Sequence, residues 1–164
     1  MKKSLTYILI LFAFKFAFGQ TSKRPDKIST KDSIAVLEFW SKIVTALDNR
    51  DANTIKQNSV DTVDCFCGTD DSTQFLDKWP ADNFSRQLIL KYSNTKKLQK
   101  IIKTEKAQVN IRTDNPNTVG LIYYVSYVLD KPNEIAKGHE GTGIFFDFVK
   151  QNKTLKIYSV RTIP

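Results

Sequence analysis

Regular patterning begins at Thr30. In TKDSIAVLEFWSKIVTALDNRD the apolar residues Val36, Trp40, Ile43, Val44 and Leu47 recur at helical spacing, which predicts an amphipathic helix with Thr30 or Asp32 as its N-cap. DNRD then turns the chain, and ANTIKQNS predicts a short second helix with Ile55 facing inward. Val60, Val63, Cys65 and Phe66 predict a short strand that runs into the polar turn GTDDST. Trp79 precedes Pro80, and proline suits the first turn of a helix, so PADNFSRQLILKYSN predicts a third helix lined by Phe84, Leu88 and Tyr92. In KKLQKIIK, Leu98, Ile101 and Ile102 are read as the buried side of an element whose lysines are solvated.

Beyond Lys106 the period changes from 3.6 to 2. AQVNIRT alternates, TVGLIYYVSYVLD is apolar on both faces as a central strand is, and GTGIFFDFVK and TLKIYSVRTI are joined by a QNKT turn. Strands that follow one another without intervening helices pair antiparallel. The expected architecture is α+β: three N-terminal helices packed on a curved antiparallel sheet.

The first nineteen residues read differently. MKKSLTYILILFAFKFAFG carries Lys2 and Lys3 ahead of an apolar run, Leu5 to Phe14, that Lys15 interrupts. A run of about ten residues is half of what a helix needs to cross a bilayer. It predicts a cleaved signal peptide over 1–19, with Ala17 and Gly19 as the small residues before the cut. No stable membrane span is then expected in the mature chain, which is exported to a periplasm or secreted. Removing Lys2, Lys3 and Lys15 takes the formal charge from +8 to +5. That balance lacks the clustered basic and aromatic motifs of a nucleic-acid binder. Residues 20–30 read as a flexible tail and 31–164 as one domain, large enough to bury a core without a metal or disulfide.

The stretch FWSKIVTALDNRDANTI, an aromatic-bearing helix leading through a polar turn into a second, resembles the nuclear-transport-factor-2-like superfamily. So does the closing pair of strands in GTGIFFDFVKQNKTLKIYSVRTI. That superfamily includes ketosteroid isomerase and the SnoaL-type cyclases, and the resemblance implies a cone-shaped fold with a pocket at its open end. No catalytic constellation of its enzymes matches this chain residue by residue, so the resemblance implies a fold and not an activity.

Asp147 is the one charge inside GIFFDFV. In a strand it shares a face with Phe145 and Val149, and a hairpin closed at QNKT sets it opposite Tyr158, between Lys156 and Val160. Two readings stay open. Asp147 is a catalytic acid or base in an apolar pocket, with Tyr158 as hydrogen-bond donor. Alternatively this face looks to water and Asp147 pairs with Lys156. Candidate pocket residues are Trp40, Tyr123, Tyr127 and Phe145, with His139 on a glycine-rich loop at the rim.

Cys65 and Cys67 are the only cysteines. Extended side chains at i and i+2 share a face but lie too far apart for an unstrained disulfide, so free thiols are the first expectation. A strained Cys65–Cys67 disulfide, or an intermolecular one, is the alternative. Zinc needs two ligands beyond these cysteines and His139 is the only histidine, and Asp61, Asp64, Asp70 and Asp71 lack EF-hand spacing, so no metal and no cofactor are expected. The sequence therefore favours a non-catalytic module that binds a small apolar ligand or an envelope protein. Its rivals are an isomerase- or cyclase-type enzyme and a homodimer formed through the sheet with the pocket filled by its own side chains.

Overall fold

The structure is a computed structural model and describes residues 27–65, 77–113 and 121–163 of the 164-residue chain. Helix α1 spans Thr30–Asp48. Its N-cap is Ser29, not Thr30 or Asp32: the Ser29 hydroxyl oxygen accepts from the Asp32 backbone N–H at 3.0 Å and its O–H donates to the Asp32 carboxylate at 2.8 Å. The hydroxyl thus satisfies one of the helix's first free N–H groups while its own proton is held by the first-turn aspartate. Arg50 takes φ of 53°, closing the turn into α2, Ala52–Gln57, where Asp51 caps the Thr54 N–H. Strand β1, Ser59–Cys65, follows, and after the undescribed 66–76 comes β2, Asp77–Pro80. Trp79 and Pro80 thus close a strand, and Pro80 caps α3, Ala81–Asn94. A break at Thr95 separates α3 from α4, Lys96–Thr104, whose Leu98, Ile101 and Ile102 are buried while the lysines face water. There are four described helices where three were expected, because KKLQKIIK forms one of its own.

Strands β3 (Gln108–Thr113), β4 (Leu121–Asp130), β5 (Thr142–Gln151) and β6 (Thr154–Ile163) form the expected antiparallel meander. The β5–β6 turn places both Asn152 (φ 48°) and Lys153 (φ 68°) in the left-handed region, the signature of a two-residue hairpin turn that matches the twist of the strands. The six-stranded sheet runs β2-β1-β6-β5-β4-β3, curved and unclosed. It is mixed, not purely antiparallel. β1 lies parallel to β6, in register from Asp64 opposite Ser159 to Cys65 opposite Val160. The fold class is α+β, as the pattern of periods implied.

The helices pack on one face of this sheet. Trp40 of α1 lies 4.4 Å from Phe146 and 6.2 Å from Phe148 by ring centroids, and Phe39 meets Phe148 edge-on at 5.2 Å. Ile144, Phe146 and Phe148 therefore face the helices, together with their register partners Val125, Tyr127, Ile157 and Val160. The polar tips buried here are partnered. Trp40 Nε1–H donates to the Tyr127 hydroxyl at 2.7 Å, and the Tyr92 hydroxyl donates to Asp48 Oδ1 at 2.7 Å. Lys103 pairs with the same carboxylate at 2.9 Å, so α3 and α4 are both tied to the end of α1.

These contacts set proton affinities. Hydrogen bonding from Lys103, then from Tyr92, holds the Asp48 carboxyl below the ordinary aspartate range. Burial, then the bond to Asp48, pushes the Tyr92 phenol up, and burial raises Tyr127 against the opposing effect of Trp40.

Replacing Trp40 with Phe keeps most of the ring packing and leaves the buried Tyr127 hydroxyl without its donor. A loss of about 2 kcal/mol is expected in urea unfolding followed by far-UV circular dichroism. The lowered Asp48 pKa gives a pH dependence of known sign. Its stabilisation is present above the unfolded-state pKa and is lost as pH falls through the folded-state value. Urea midpoints measured from neutral pH into acid should therefore fall less steeply in Asp48→Asn than in the parent.

Candidate functional site

Alternation along β5 puts Asp147 on the face away from the helices. It is the only buried charged side chain among the described residues, with an exposure of 0%. Two strands, β6 and β3, supply its partners. Ser159 on β6 donates from Oγ to Oδ2 at 2.5 Å. Arg161, also on β6, reaches Oδ2 from Nε at 2.6 Å and Oδ1 from Nη2 at 3.2 Å. Arg112 on β3 donates from Nη2 to Oδ2 at 2.9 Å, crossing β4 to do so. The Arg161 contact is the bidentate fork that suits a planar guanidinium to a carboxylate.

Aromatic rings frame the cluster. The Arg161 guanidinium carbon sits 5.1 Å from the centroid of Phe145, its register partner, and Phe145 lies 5.8 Å from Tyr124, which pairs with Asp147 across β4. Toward one end of this face, Ile122 and Val149 are buried. Toward the other, Val128 and Ile163 remain 45% and 42% exposed.

Neither sequence reading of Asp147 describes this geometry. The hairpin register runs as expected from Gln151 opposite Thr154 to Phe148 opposite Ile157, and then a β-bulge intervenes. Ser159, not Tyr158, is the residue opposite Asp147, and Tyr158 takes the extra bulge position, partly buried against the core. Nor does Asp147 look to water beside Lys156, whose ammonium donates instead to the Gln57 carbonyl. With four hydrogen bonds on its two oxygens, the Asp147 carboxylate serves as an anchor for arginines.

The expected pocket residues divide between the two faces. Trp40, Tyr123 and Tyr127 lie on the helix side, with Lys150 Nζ 4.9 Å from the Tyr123 ring centroid. Phe145 is on the other side beside Arg161. His139 is held within the β4–β5 loop, where its Nδ1 accepts from the Gly141 N–H at 2.9 Å. Gly141, at φ 98°, passes so close to the backbone of Asp130 that a Cβ would lie 2.6 Å from that carbonyl oxygen, so this turn has no room for a side chain. Cys65 is disulfide-bonded, which corrects the expectation of free thiols. Cys67, Phe66, Asp70 and Asp71 lie outside the described residues.

Sequence reasoning missed Arg112, Arg161 and Ser159. Each arginine is the one cation of its strand segment NIRT or SVRTI, and only the register across four strands shows that both meet one carboxylate.

No family model and no curated protein matches the chain. Among solved structures, the chain is similar to a designed protein of the nuclear-transport-factor-2 type, at 10% identity and a TM-score of 0.42, over 78% of this chain and 96% of that one.

Removing the carboxylate leaves two arginines facing each other without their shared anion. Asp147→Asn is expected to cost about 3 kcal/mol in urea unfolding, as breaking a buried ion pair does. Arg112→Met removes one donor from Asp147 while Ser159 and Arg161 stay on the carboxylate, and should cost distinctly less. Equal losses for the two variants would show that the carboxylate is not the centre of the cluster.

Proposed function

We propose that the chain is an exported, nuclear-transport-factor-2-like module that binds a small apolar ligand or an envelope protein and does not catalyse a reaction. The observation that carries this reading is the placement of Asp147: the one buried charge among the described residues faces away from the helices and has both oxygens engaged. The helix side of the sheet is aromatic instead: Tyr123, Tyr127, Phe146 and Phe148 are buried there against Trp40 of α1. The phenols of Tyr92 on α3 and Tyr127 on β4 hold their protons more tightly than free tyrosine does, and so favour donating hydrogen bonds over acting as bases. An apolar ligand on this side would lie between these rings and the helices, oriented by the few polar tips there.

Export rests on the pattern of MKKSLTYILILFAFKFAFGQ and gains support from the oxidised state of Cys65, since disulfides persist in oxidising compartments.

Native mass spectrometry of the protein purified from its own cell envelope, without reductant, tests both parts. A polypeptide mass beginning at Gln20 and an added mass that is lost on denaturation are the expected results. A polypeptide still carrying residues 1–19 overturns export. A bare mass across preparations, with no ligand and no co-purifying protein, overturns the binding module.

A further inference from the structure

We propose that the Arg161 end of the sheet face away from the helices is a docking site for an acidic segment of a partner protein, a carboxylate meeting Arg161 while a neighbouring apolar side chain covers Val128 and Ile163. Arg161 spends Nε and Nη2 on Asp147. A guanidinium has five N–H donors, and those on Nη1 are left for another acceptor. Its side chain is 17% exposed, so part of it is open to solvent. Because Asp147 is shared with Arg112, it offsets only part of the Arg161 charge. The geometry is also fixed in advance. A fork onto a buried carboxylate on one side and the Phe145 ring at 5.1 Å on the other hold Arg161 still, so binding costs little further ordering of this side chain.

The apolar half of the site lies one row further along the sheet. Val128 and Ile163 flank Gly143 in register, one from each neighbouring strand. The Phe145 ring leans back toward that glycine, since a Cβ at Gly143 would lie 3.0 Å from its Cε2. Two exposed aliphatic side chains therefore border a floor of glycine and phenylalanine. Ile163 is two residues from Arg161 on the same face of β6, about 7 Å along the strand. The same spacing in an extended partner places an acidic and an apolar side chain at i and i+2. A sheet face with arginine, tyrosine and phenylalanine has the composition of a protein contact, whereas small-molecule sites are concave. The site stands on the opposite face from the apolar surface of the proposed module, so each can hold or fail without the other.

The test is a titration of acetyl-Leu-Thr-Glu-Thr-Leu amide into isotope-labelled protein at low salt, followed by amide shifts in nuclear magnetic resonance. Saturable shifts centred on Gly143, Phe145, Arg161 and Ile163 are expected, with at least fivefold weaker binding when the peptide glutamate is replaced by glutamine. Arg161→Gln should abolish the preference for glutamate. Since that variant disturbs Asp147 as well, the double variant Val128→Thr, Ile163→Thr provides a second arm that leaves the ion cluster intact, and it should also bind at least fivefold more weakly. The proposal is overturned by an absence of saturable shifts, by equal affinity for the glutamine peptide, by an unaffected double variant, or by acetate alone giving the same shifts at the same concentration, which marks a simple anion site.

Discussion

A carboxylate taken fully out of water inside a sheet dictates what must surround it. Removing an ion from solvent costs several kcal/mol, and it is tolerated only where opposite charge and hydrogen bonds replace the lost hydration. Asp147 meets that condition with donors from β3 and β6, on either side of its own strand. The registers of β3, β4, β5 and β6 are coupled as a result. A slip of one residue in any of them moves a member of the cluster to the helix side, where aromatic rings have no partner for a charge. The bulge at Tyr158 belongs to the same solution, because it brings a small hydroxyl opposite Asp147 in place of a phenol ring. Whether such clusters add net stability over an apolar core is a separate matter from their specificity, and here specificity is the clearer gain.

The two faces of the sheet follow different physical rules. On the helix side, cohesion comes from area and ring packing, with Trp40 touching Tyr127, Phe146 and Phe148 and its one polar atom satisfied by Tyr127. On the other side, cohesion is directional and ionic, with aromatic rings as walls. A perturbation of one face need not be felt on the other, since alternate residues of the same strand separate them.

Much of this was legible in the sequence. The apolar spacing in α1, the change of period after Lys106 and the hairpin turn within QNKT are local properties, and each appears where the pattern placed it; that the turn has two residues and not four is read from the register. Non-local pairings were not legible. Nothing near Asp64 or Cys65 announces parallel partners at Ser159 and Val160, and nothing near Tyr158 announces a bulge. Arg112 and Arg161 read as ordinary polar positions of half-exposed strands until the register carries both to Asp147. Cys65 shows the converse difficulty: the i, i+2 geometry argued against a bond, and backbone spacing alone did not determine its chemistry. The cap at Ser29 in place of Thr30 is a shift of one residue, the usual uncertainty at a helix end.

The parallel pairing of β1 with β6 has a consequence in time. Cys65 and Val160 are register partners 95 residues apart, and a chain made from its N-terminus presents β1 long before β6 exists. Until then β1 has only the short β2 beside it and an edge of unmet backbone groups on its other flank. Pairings of such long sequence separation form late and slowly, because the loop must be closed before the contact rewards it. The complete native sheet therefore cannot form before β6 has been made.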